Sequence, residues 1–160
     1  MNMKLLKLLS ENAKYSNADM AAMLGISEDE VKSQIAEMEQ QGYIRGYKAV
    51  IDWESTDEVY VSALIELKVT PQADAGFEQI AEQVAKYSEV ESVYLMSGGY
   101  DLCVMVKDKS FHQVALFVAH ELAVMPGVIS TATHFVLRRY KELDIELTGS
   151  REDDRGKVSL

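Results

Sequence analysis

The sequence predicts an α+β protein in which short N-terminal helices are followed by a βαββαβ domain. Apolar side chains recur every three or four residues up to about residue 46, which is the helical period. From Val59 the period changes to two, and segments of strand and helix pattern then follow in the order β-α-β-β-α-β. The 160 residues are 48% hydrophobic and 26% charged, so the chain is long and apolar enough for one domain or two small ones.

The N-terminal part begins with two short helices. Leu5, Leu8 and Leu9 have the i, i+3, i+4 spacing of one buried helical face. Asn17 is expected to be the N-cap of the second helix, because asparagine is a favoured residue at that position. Gly25 is expected to end this helix in a left-handed turn, which costs glycine little because it has no Cβ.

A third helix is expected after Gly25 and is the one best defined by the sequence. Ser27 and Glu30 have the spacing of a capping box, and Gly42 is expected to end the helix. Two helices joined by a tight glycine turn are typical of a helix-turn-helix. The β-prone segment 44–51 is expected to form the strand of a wing, which makes the N-terminal domain a winged helix-turn-helix. The buried face of the third helix is formed by Val31, Ile35 and Met38.

A polar, acidic segment, 52–58, is interpreted as a linker. The alternating pattern of 59–69 predicts a long strand that ends at Pro71. Further strands are expected at 90–96, 102–106 and 128–137, with amphipathic helices at 77–84 and 114–122 and a glycine hairpin at 97–100. This order is the ferredoxin-like arrangement. The expected limits are 1–51 for the helix-turn-helix domain, 52–58 for the linker, 59–145 for the ferredoxin-like domain and 146–160 for a polar tail.

One face of the predicted sheet has no helix to cover it. Two helices cover only one face of four strands, yet the last strand is apolar on both faces. In strict alternation, Val128, Ala132 and Val136 point to one side, and Ile129, Phe135 and Leu137 point to the other. We therefore expect a partner, in the first instance a second copy of the chain, on the uncovered face.

The charge and cysteine counts limit the classes of function. The chain has 16 basic and 26 acidic residues, a net charge of −10, which by itself argues against a nucleic-acid partner. The single cysteine, Cys103, excludes an internal disulfide and is expected in the core. The three histidines lack metal-ligand spacing, so we expect neither metal nor cofactor. Neither a signal peptide nor an apolar run of about 20 residues is evident, so we expect a cytoplasmic protein without a membrane partner.

Three short motifs identify a family. The wing reads Gly-Tyr-Ile-Arg-Gly-Tyr over 42–47 with Ala49 and Asp52, the hairpin carries Gly-Tyr-Asp at 99–101, and the last strand carries Thr-Ala-Thr at 131–133. Over residues 3–141 the chain resembles the Lrp/AsnC (leucine-responsive, feast/famine) transcriptional regulators. The resemblance implies sequence-specific DNA binding, a homodimer formed through the C-terminal sheet that assembles further into an octamer, and an amino acid or related small molecule bound between dimers.

The resemblance also implies site residues. In the hairpin, backbone N–H groups would hold the carboxylate of the effector, while Asp101 would either accept hydrogen bonds from its amino group or order the loop. The implied ligand-binding residues are Gly98, Gly99, Tyr100, Asp101, Thr131 and Thr133. The implied DNA-binding residues are Lys32, Ser33, Gln34, Arg45 and Lys48, of which the cations would contact phosphates and Ser33 and Gln34 would contact base edges.

The third helix departs from the family pattern, because it is acidic where basic residues are common. Residues 1–58 contain 6 basic and 11 acidic side chains, a net charge of −5. This favours an alternative function: a ligand-sensing or hetero-oligomerising module with weak or lost DNA binding.

An enzyme is not expected, because the sequence has no recognised catalytic motif. The Lrp-like sirohaem decarboxylases share the domain order and are the enzymatic alternative, through His134, Arg138 and Arg139.

Overall fold

The computed structural model describes residues 1–71 and 76–147 of the chain. Two compact units are present, Met1–Ala49 and a second that begins at Val50. Of the predicted polar tail, 146–160, the part from residue 148 onward lies outside the described residues. Within the described residues no helix is both long enough and apolar enough to cross a membrane.

The first unit is a bundle of three helices. They are α1 (Met3–Glu11), α2 (Asn17–Leu24) and α3 (Glu28–Gln40). One buried cluster joins them, because the apolar face of each helix turns towards the other two. Leu5 and Val31 are completely buried at its centre, and the other buried members are Met20, Ala21 and Met38. The helix-turn-helix predicted from the sequence is confirmed.

Local capping sets the ends of α2 and α3. Ser16, not Asn17, is the N-cap of α2, because its side chain accepts the backbone N–H of Asp19 in a reciprocal capping box. Gly25 ends α2 with a φ of 68°, as expected for the left-handed turn. The predicted box between Ser27 and Glu30 is confirmed, and its hydrogen bonds hold the pKa of Glu30 below the ordinary value.

The predicted wing strand does not form in the described chain. Residues 44–51 are irregular, although they are β-prone in sequence. A strand needs a neighbour to accept and donate its ladder hydrogen bonds, and no other segment of the described unit supplies one. Tyr47 is instead held by its hydroxyl, which donates to Glu39 Oε1 at 2.9 Å. Burial and then this hydrogen bond raise the pKa of Tyr47.

The second unit contains a four-stranded antiparallel sheet. Its strands are β1 (Val61–Val69), β2 (Val90–Leu95), β3 (Leu102–Asp108) and β4 (Val128–Phe135). Its helices are α4 (Glu78–Val84) and α5 (Phe111–Phe117), and α5 continues into a π-helical segment, Val118–Leu122. The strand order β2-β3-β1-β4 is that of the ferredoxin-like fold, so the predicted fold class is confirmed.

The core of this unit lies between the sheet and its helices. Alternate residues of the two central strands are buried there, including Ile65 and Leu67 of β1 and Leu102 and Val104 of β3. Ile80 of α4 and Leu122 of the π-helical segment face them from the helix layer. Central strands are covered by neighbours on both sides, which is why the buried side chains of the sheet come from β1 and β3 and not from β2 or β4.

A bulge in the β1–β4 ladder corrects the predicted faces of β4. Because the register shifts between Lys68 and Val69, Val128 pairs with Val69 and Ser130 with Lys68. Val128 therefore packs against the core on the helix side, together with Phe135, and not on the uncovered side with Ala132. The extra residue of a bulge shifts the alternation of the strand by one, and sequence periodicity alone does not reveal it.

A small hairpin follows the sheet and was not predicted. It consists of β5 (Lys141–Glu142) and β6 (Ile145–Glu146), joined by Leu143 and Asp144. Both turn residues have positive φ, 44° and 65°, the combination that a two-residue type I′ turn requires. Leucine is an unfavourable residue at such a position, so no turn could be predicted from the sequence there.

Candidate DNA-binding surface and effector site

The exposed face of α3 contains most of the predicted DNA-binding residues of that helix. Val31 and Met38 are buried on the opposite face. Lys32 and Ser33 lie on the exposed face, one helical turn before Glu37. The Lys32 ammonium lies 3.7 Å from a carboxylate oxygen of Asp29, and both side chains are exposed, so the pair contributes little stability. Exchanging Asp29 for a phosphate group therefore costs Lys32 little free energy.

Gln34 has a different position from its neighbours. It is half-buried, and its Oε1 accepts a hydrogen bond of 2.8 Å from Asn2 Nδ2. Asn2 is also the N-cap of α1, with Oδ1 accepting from the N–H groups of Lys4 and Leu5. The amide of Gln34 therefore joins α3 to the start of α1. The sequence did not reveal this role, because the contact spans 32 residues.

The predicted cations after α3 are exposed. Arg45 folds back over Gly42, and its guanidinium carbon would lie 3.1 Å from a Cβ at that position. Gly42 has a φ of 74°, so a side chain there would meet both backbone strain and the guanidinium. Lys48 is exposed in the irregular segment. Arg45, Lys48 and Lys32 all belong to the same compact unit.

The glycine hairpin between β2 and β3 is held by Asp101. One carboxylate oxygen accepts the backbone N–H of Val69 at 2.9 Å, and the other lies 3.2 Å from the Lys68 ammonium. The Asp101 N–H donates to Leu67 O, so the residue is fixed to β1 by both main chain and side chain. Of the two roles expected for Asp101, the structure shows the ordering of the loop.

These contacts lower the pKa of Asp101, mainly through the Val69 N–H and also through Lys68. A carboxyl group whose pKa is lower in the folded than in the unfolded chain stabilises the fold fully above the unfolded-state pKa. That stabilisation is lost as the pH falls through the folded-state pKa. The hairpin is therefore anchored to β1 at neutral pH and loses this anchor in acid.

The tip of the hairpin offers unused donors. A hydrogen bond from Met96 N–H to Asp101 O closes the loop. Within the described residues, the backbone N–H groups of Gly98, Gly99 and Tyr100 have no acceptor. Gly98 has a φ of 149°, a conformation that other residues rarely adopt, so the shape of the tip depends on glycine there. Consecutive free N–H groups in a turn form a concavity that suits an anion.

The remaining predicted ligand residues are half-buried. Tyr100 lies at the end of the hairpin loop. Thr131 and Thr133 are half-buried and pair with Leu67 and Ile65, so both lie on the helix side of β4. Asp101 of the hairpin is bonded to Leu67 and Val69 of β1, and Leu67 pairs with Thr131 on the other side, so β1 lies between them. Within one chain the hairpin and the two threonines therefore lie on opposite sides of β1.

The sheet face without helices combines apolar and charged residues. The four strands place Leu64, Tyr94, Met105 and Ala132 on it. On the same face, His134 Nε2 lies 3.0 Å from Glu66 Oε2. Cys103 also lies on this face and is 9% exposed; burial raises the pKa of its thiol. The prediction that Cys103 is buried is thus confirmed, although it lies on the opposite side of the sheet from the main core.

A separate cavity of about 510 Å³ lies between the end of α4 and the π-helical segment. The Tyr87 hydroxyl donates to Glu121 Oε2 at 3.0 Å beside it, and this bond raises the pKa of Tyr87. None of the predicted effector residues lines this cavity. Its walls are Gln83, Lys86 and Tyr87 on one side and Glu121, Val124, Met125 and Pro126 on the other.

The domains and the whole chain have known relatives. Residues 2–45 match the winged helix-turn-helix DNA-binding model, and residues 62–145 match the Lrp/AsnC ligand-binding domain. The HTH-type transcriptional regulator YugG of Bacillus subtilis is 41% identical over 95% of this chain and 92% of its own length. The leucine-responsive regulatory protein of Haemophilus influenzae is 25% identical over 88% of this chain and 84% of its own.

A solved structure agrees with the sequence relatives. The transcriptional regulator NMB0573 from Neisseria meningitidis, in complex with L-Met, superposes with a TM-score of 0.69 at 25% identity. The superposition covers 89% of this chain and 93% of that one. With both domains matched in the same order, the chain belongs to the Lrp/AsnC family and is an effector-responsive, DNA-binding transcriptional regulator.

Proposed function

We propose that this regulator binds DNA through the exposed face of α3 and the cations that follow it. The exposed position of Lys32 and Ser33 on the second helix of the helix-turn-helix carries this proposal, because that helix enters the major groove in such domains. Arg45 and Lys48 contact phosphates beside the groove. Gln34 stays with Asn2 and contributes to the fold of the unit and not to base reading.

The effector is an amino acid or a closely related small molecule. The free N–H groups of the hairpin tip support this, because they suit a carboxylate, while Lys68 and Asp101 place one charge of each sign beside it. The L-Met complex of the Neisseria relative and the name of the leucine-responsive relative agree with this class. Thr131 and Thr133 lie across β1 from the hairpin of their own chain, and those of another subunit would complete the site between dimers.

The carboxylate of Asp101 gives a direct test of the effector site. Asp101→Ala removes the anchor of the hairpin and a charged acceptor, and a hydrogen bond to a charged group contributes about 1.5–3 kcal/mol. We expect at least a tenfold weaker affinity for the effector found by a thermal-shift screen of the twenty amino acids, measured by calorimetry. Asp108→Ala, which removes the same charge at the far end of β3, is the control. Unchanged affinity in Asp101→Ala would place the site elsewhere.

Homodimerisation through the uncovered sheet face is part of the proposal. Leu64, Tyr94, Met105 and Ala132 form an apolar surface that one subunit leaves open to water. A second copy presents the same residues, so a two-fold axis through this face buries both surfaces at once. Assembly of such dimers into an octamer brings the hairpins and threonines of different subunits together.

Sedimentation velocity at micromolar concentration tests the dimer. We expect the wild-type chain to sediment as a dimer or larger and Met105→Lys to sediment as a monomer, since a charge would be buried in the centre of the interface. Val124→Lys is the control, because Val124 is 68% exposed and lies after the π-helical segment. A monomeric wild type would refute assembly through this face.

A ligand-sensing or hetero-oligomerising module with weak or lost DNA binding is the second candidate. The acidic surface of α3 favours it, because Asp29 and Glu37 accompany Lys32 on the exposed face. A mobility shift at low salt with the DNA upstream of the chain's own gene distinguishes the two. A shift supports the first candidate; no shift, with or without the effector, supports the second. DNA as the partner implies a cytoplasmic location, and no catalytic role is proposed.

A further inference from the structure

The segment that we interpreted as a linker, 52–58, belongs to the second unit, which begins at Val50. Trp53–Ser55 forms a short 3-10 helix, and the ring of Trp53 meets the edge of Tyr60 with ring centres 5.1 Å apart. The Lys107 ammonium, at the end of β3, lies 4.0 Å from the centre of the Trp53 ring and 3.9 Å from that of Tyr60. A cation at these distances is attracted by both π systems. We call residues 53–60 the strap.

A second contact holds the strap near its start. Glu54 Oε1 accepts the backbone N–H of Arg139, the fourth residue after the end of β4, at 3.3 Å. The guanidinium of Arg139 donates to Ser62 Oγ at 2.7 Å and lies 3.8 Å from Glu91 of β2. The strap is thus attached to β3 through Lys107 and to the segment after β4 through Arg139.

Burial agrees with these contacts. Ser62 points away from the helices, yet only 8% of it is exposed, because Arg139 covers it. Trp53, Tyr60 and Lys107 are all half-buried. Between them, Ser55 to Val59 are exposed, so the strap is held at its aromatic ends and not along its whole length.

We propose that Lys107 and Arg139 are positioning residues for DNA binding, because they fix the strap to the effector-binding domain. This rests on the proposed function, since it concerns how a dimer with two DNA-binding units meets two half-sites. A segment held at both ends has fewer conformations than a free linker. Once one subunit of the dimer has bound its half-site, the DNA-binding unit of the other subunit meets its own half-site at a higher effective concentration than a flexible linker would give. Neither residue contacts DNA in this role.

The attachment itself is measured with the only tryptophan in the chain, Trp53. Lys107→Met removes the cation and keeps a long side chain, whereas Lys107→Arg keeps the cation. Lys109→Met, the matched control, removes a positive charge two residues away. In the full-length protein, we expect acrylamide to quench Trp53 at least twice as strongly in Lys107→Met as in the wild type. Lys107→Arg and Lys109→Met are expected to stay close to the wild type. Equal quenching in all four proteins would overturn the attachment.

The role in DNA binding is measured by salt titration with the upstream DNA fragment. We expect Lys107→Met to bind the DNA about tenfold more weakly than the wild type, because a released strap lowers the effective concentration of the DNA-binding unit at its half-site. The slope of log K against log salt should stay unchanged, because no phosphate contact is lost. Lys107→Arg should restore affinity. A slope flattened in Lys107→Met but not in Lys109→Met would mean that Lys107 contacts phosphate, and the proposal would be wrong.

A second variant separates the strap from a general loss of fold. Glu54→Ala removes the oxygen that accepts the Arg139 N–H, and we expect it to raise quenching of Trp53 and lower DNA affinity, as Lys107→Met does. Increased quenching with unchanged DNA affinity in both variants would show a strap without a positioning role. If the wild type binds no DNA while Trp53 is protected, the proposed function fails and the strap contacts stand.

Discussion

Lys32→Ala is expected to flatten the salt dependence of DNA binding by roughly two units. Each phosphate contact contributes about −0.9 to the slope of log K against log salt. With Lys32, Arg45 and Lys48 as the contacts, one subunit makes about three and a dimer about six, so losing Lys32 from both subunits removes about two. About six contacts correspond to roughly a 10³-fold fall in affinity between 50 and 200 mM salt. The measurement is a salt titration of binding to the upstream DNA.

Glu37→Lys tests the same surface by adding a positive charge where Lys32→Ala removes one. Glu37 lies one turn after Ser33 on the exposed face of α3, where its charge opposes phosphates. Its replacement by lysine is expected to tighten binding to most DNA sequences, because phosphate contacts position a protein without specifying a sequence. Lys86→Ala, an exposed lysine at the end of α4 in the second unit, is the control and should leave the slope unchanged. If Lys32→Ala also leaves it unchanged, α3 does not meet the DNA backbone.

Leu67→Ala is expected to destabilise the second unit by about 2–5 kcal/mol. Leu67 is completely buried in β1, between Leu102 of β3 and Thr131 of β4. Removing its side chain leaves a cavity that the central strands cannot close, because each is held in register on both sides. The free energy of unfolding is measured by urea denaturation at a fixed protein concentration.

Leu95→Ala is the matched control for Leu67. It lies in the same row across the sheet, next to Leu102, but on the edge strand, and 63% of it is exposed. We expect a change of less than about 1 kcal/mol, since its side chain loses little contact on truncation. Equal losses in the two variants would mean that another subunit or segment covers Leu95.

The order of elements could be predicted because it depends on local patterns. The capping box of Ser27 and Glu30 and the change of period at Val59 each lie within a few residues, where the sequence acts directly on the backbone. The predicted N-cap of α2 was wrong by one residue. Ser16 and Asn17 are both good caps, and the reciprocal hydrogen bonds between Ser16 and Asp19 decide in favour of Ser16.

The candidate sites were predicted only in part. The hairpin that carries the motif lies between two strands as predicted, and Lys32 and Ser33 are exposed on α3. The role of Gln34 depends on Asn2, and that of Asp101 on Val69, each more than thirty residues away. Trp53 in an otherwise acidic segment was the signal that the segment has a packing partner, although the sequence could not indicate Lys107.

The sequence by itself determined the helix-turn-helix, the βαββαβ order and the family, because local propensity and short motifs specify these. Only the tertiary structure decided which side of β4 Val128 faces, which N–H groups of the hairpin stay free and where the strap attaches. These features arise where distant segments meet, since a bulge in one ladder or a lysine at the end of β3 acts only once the strands are paired. The physical reason is that side-chain contacts across the sheet depend on register, and register is fixed by the folded chain as a whole.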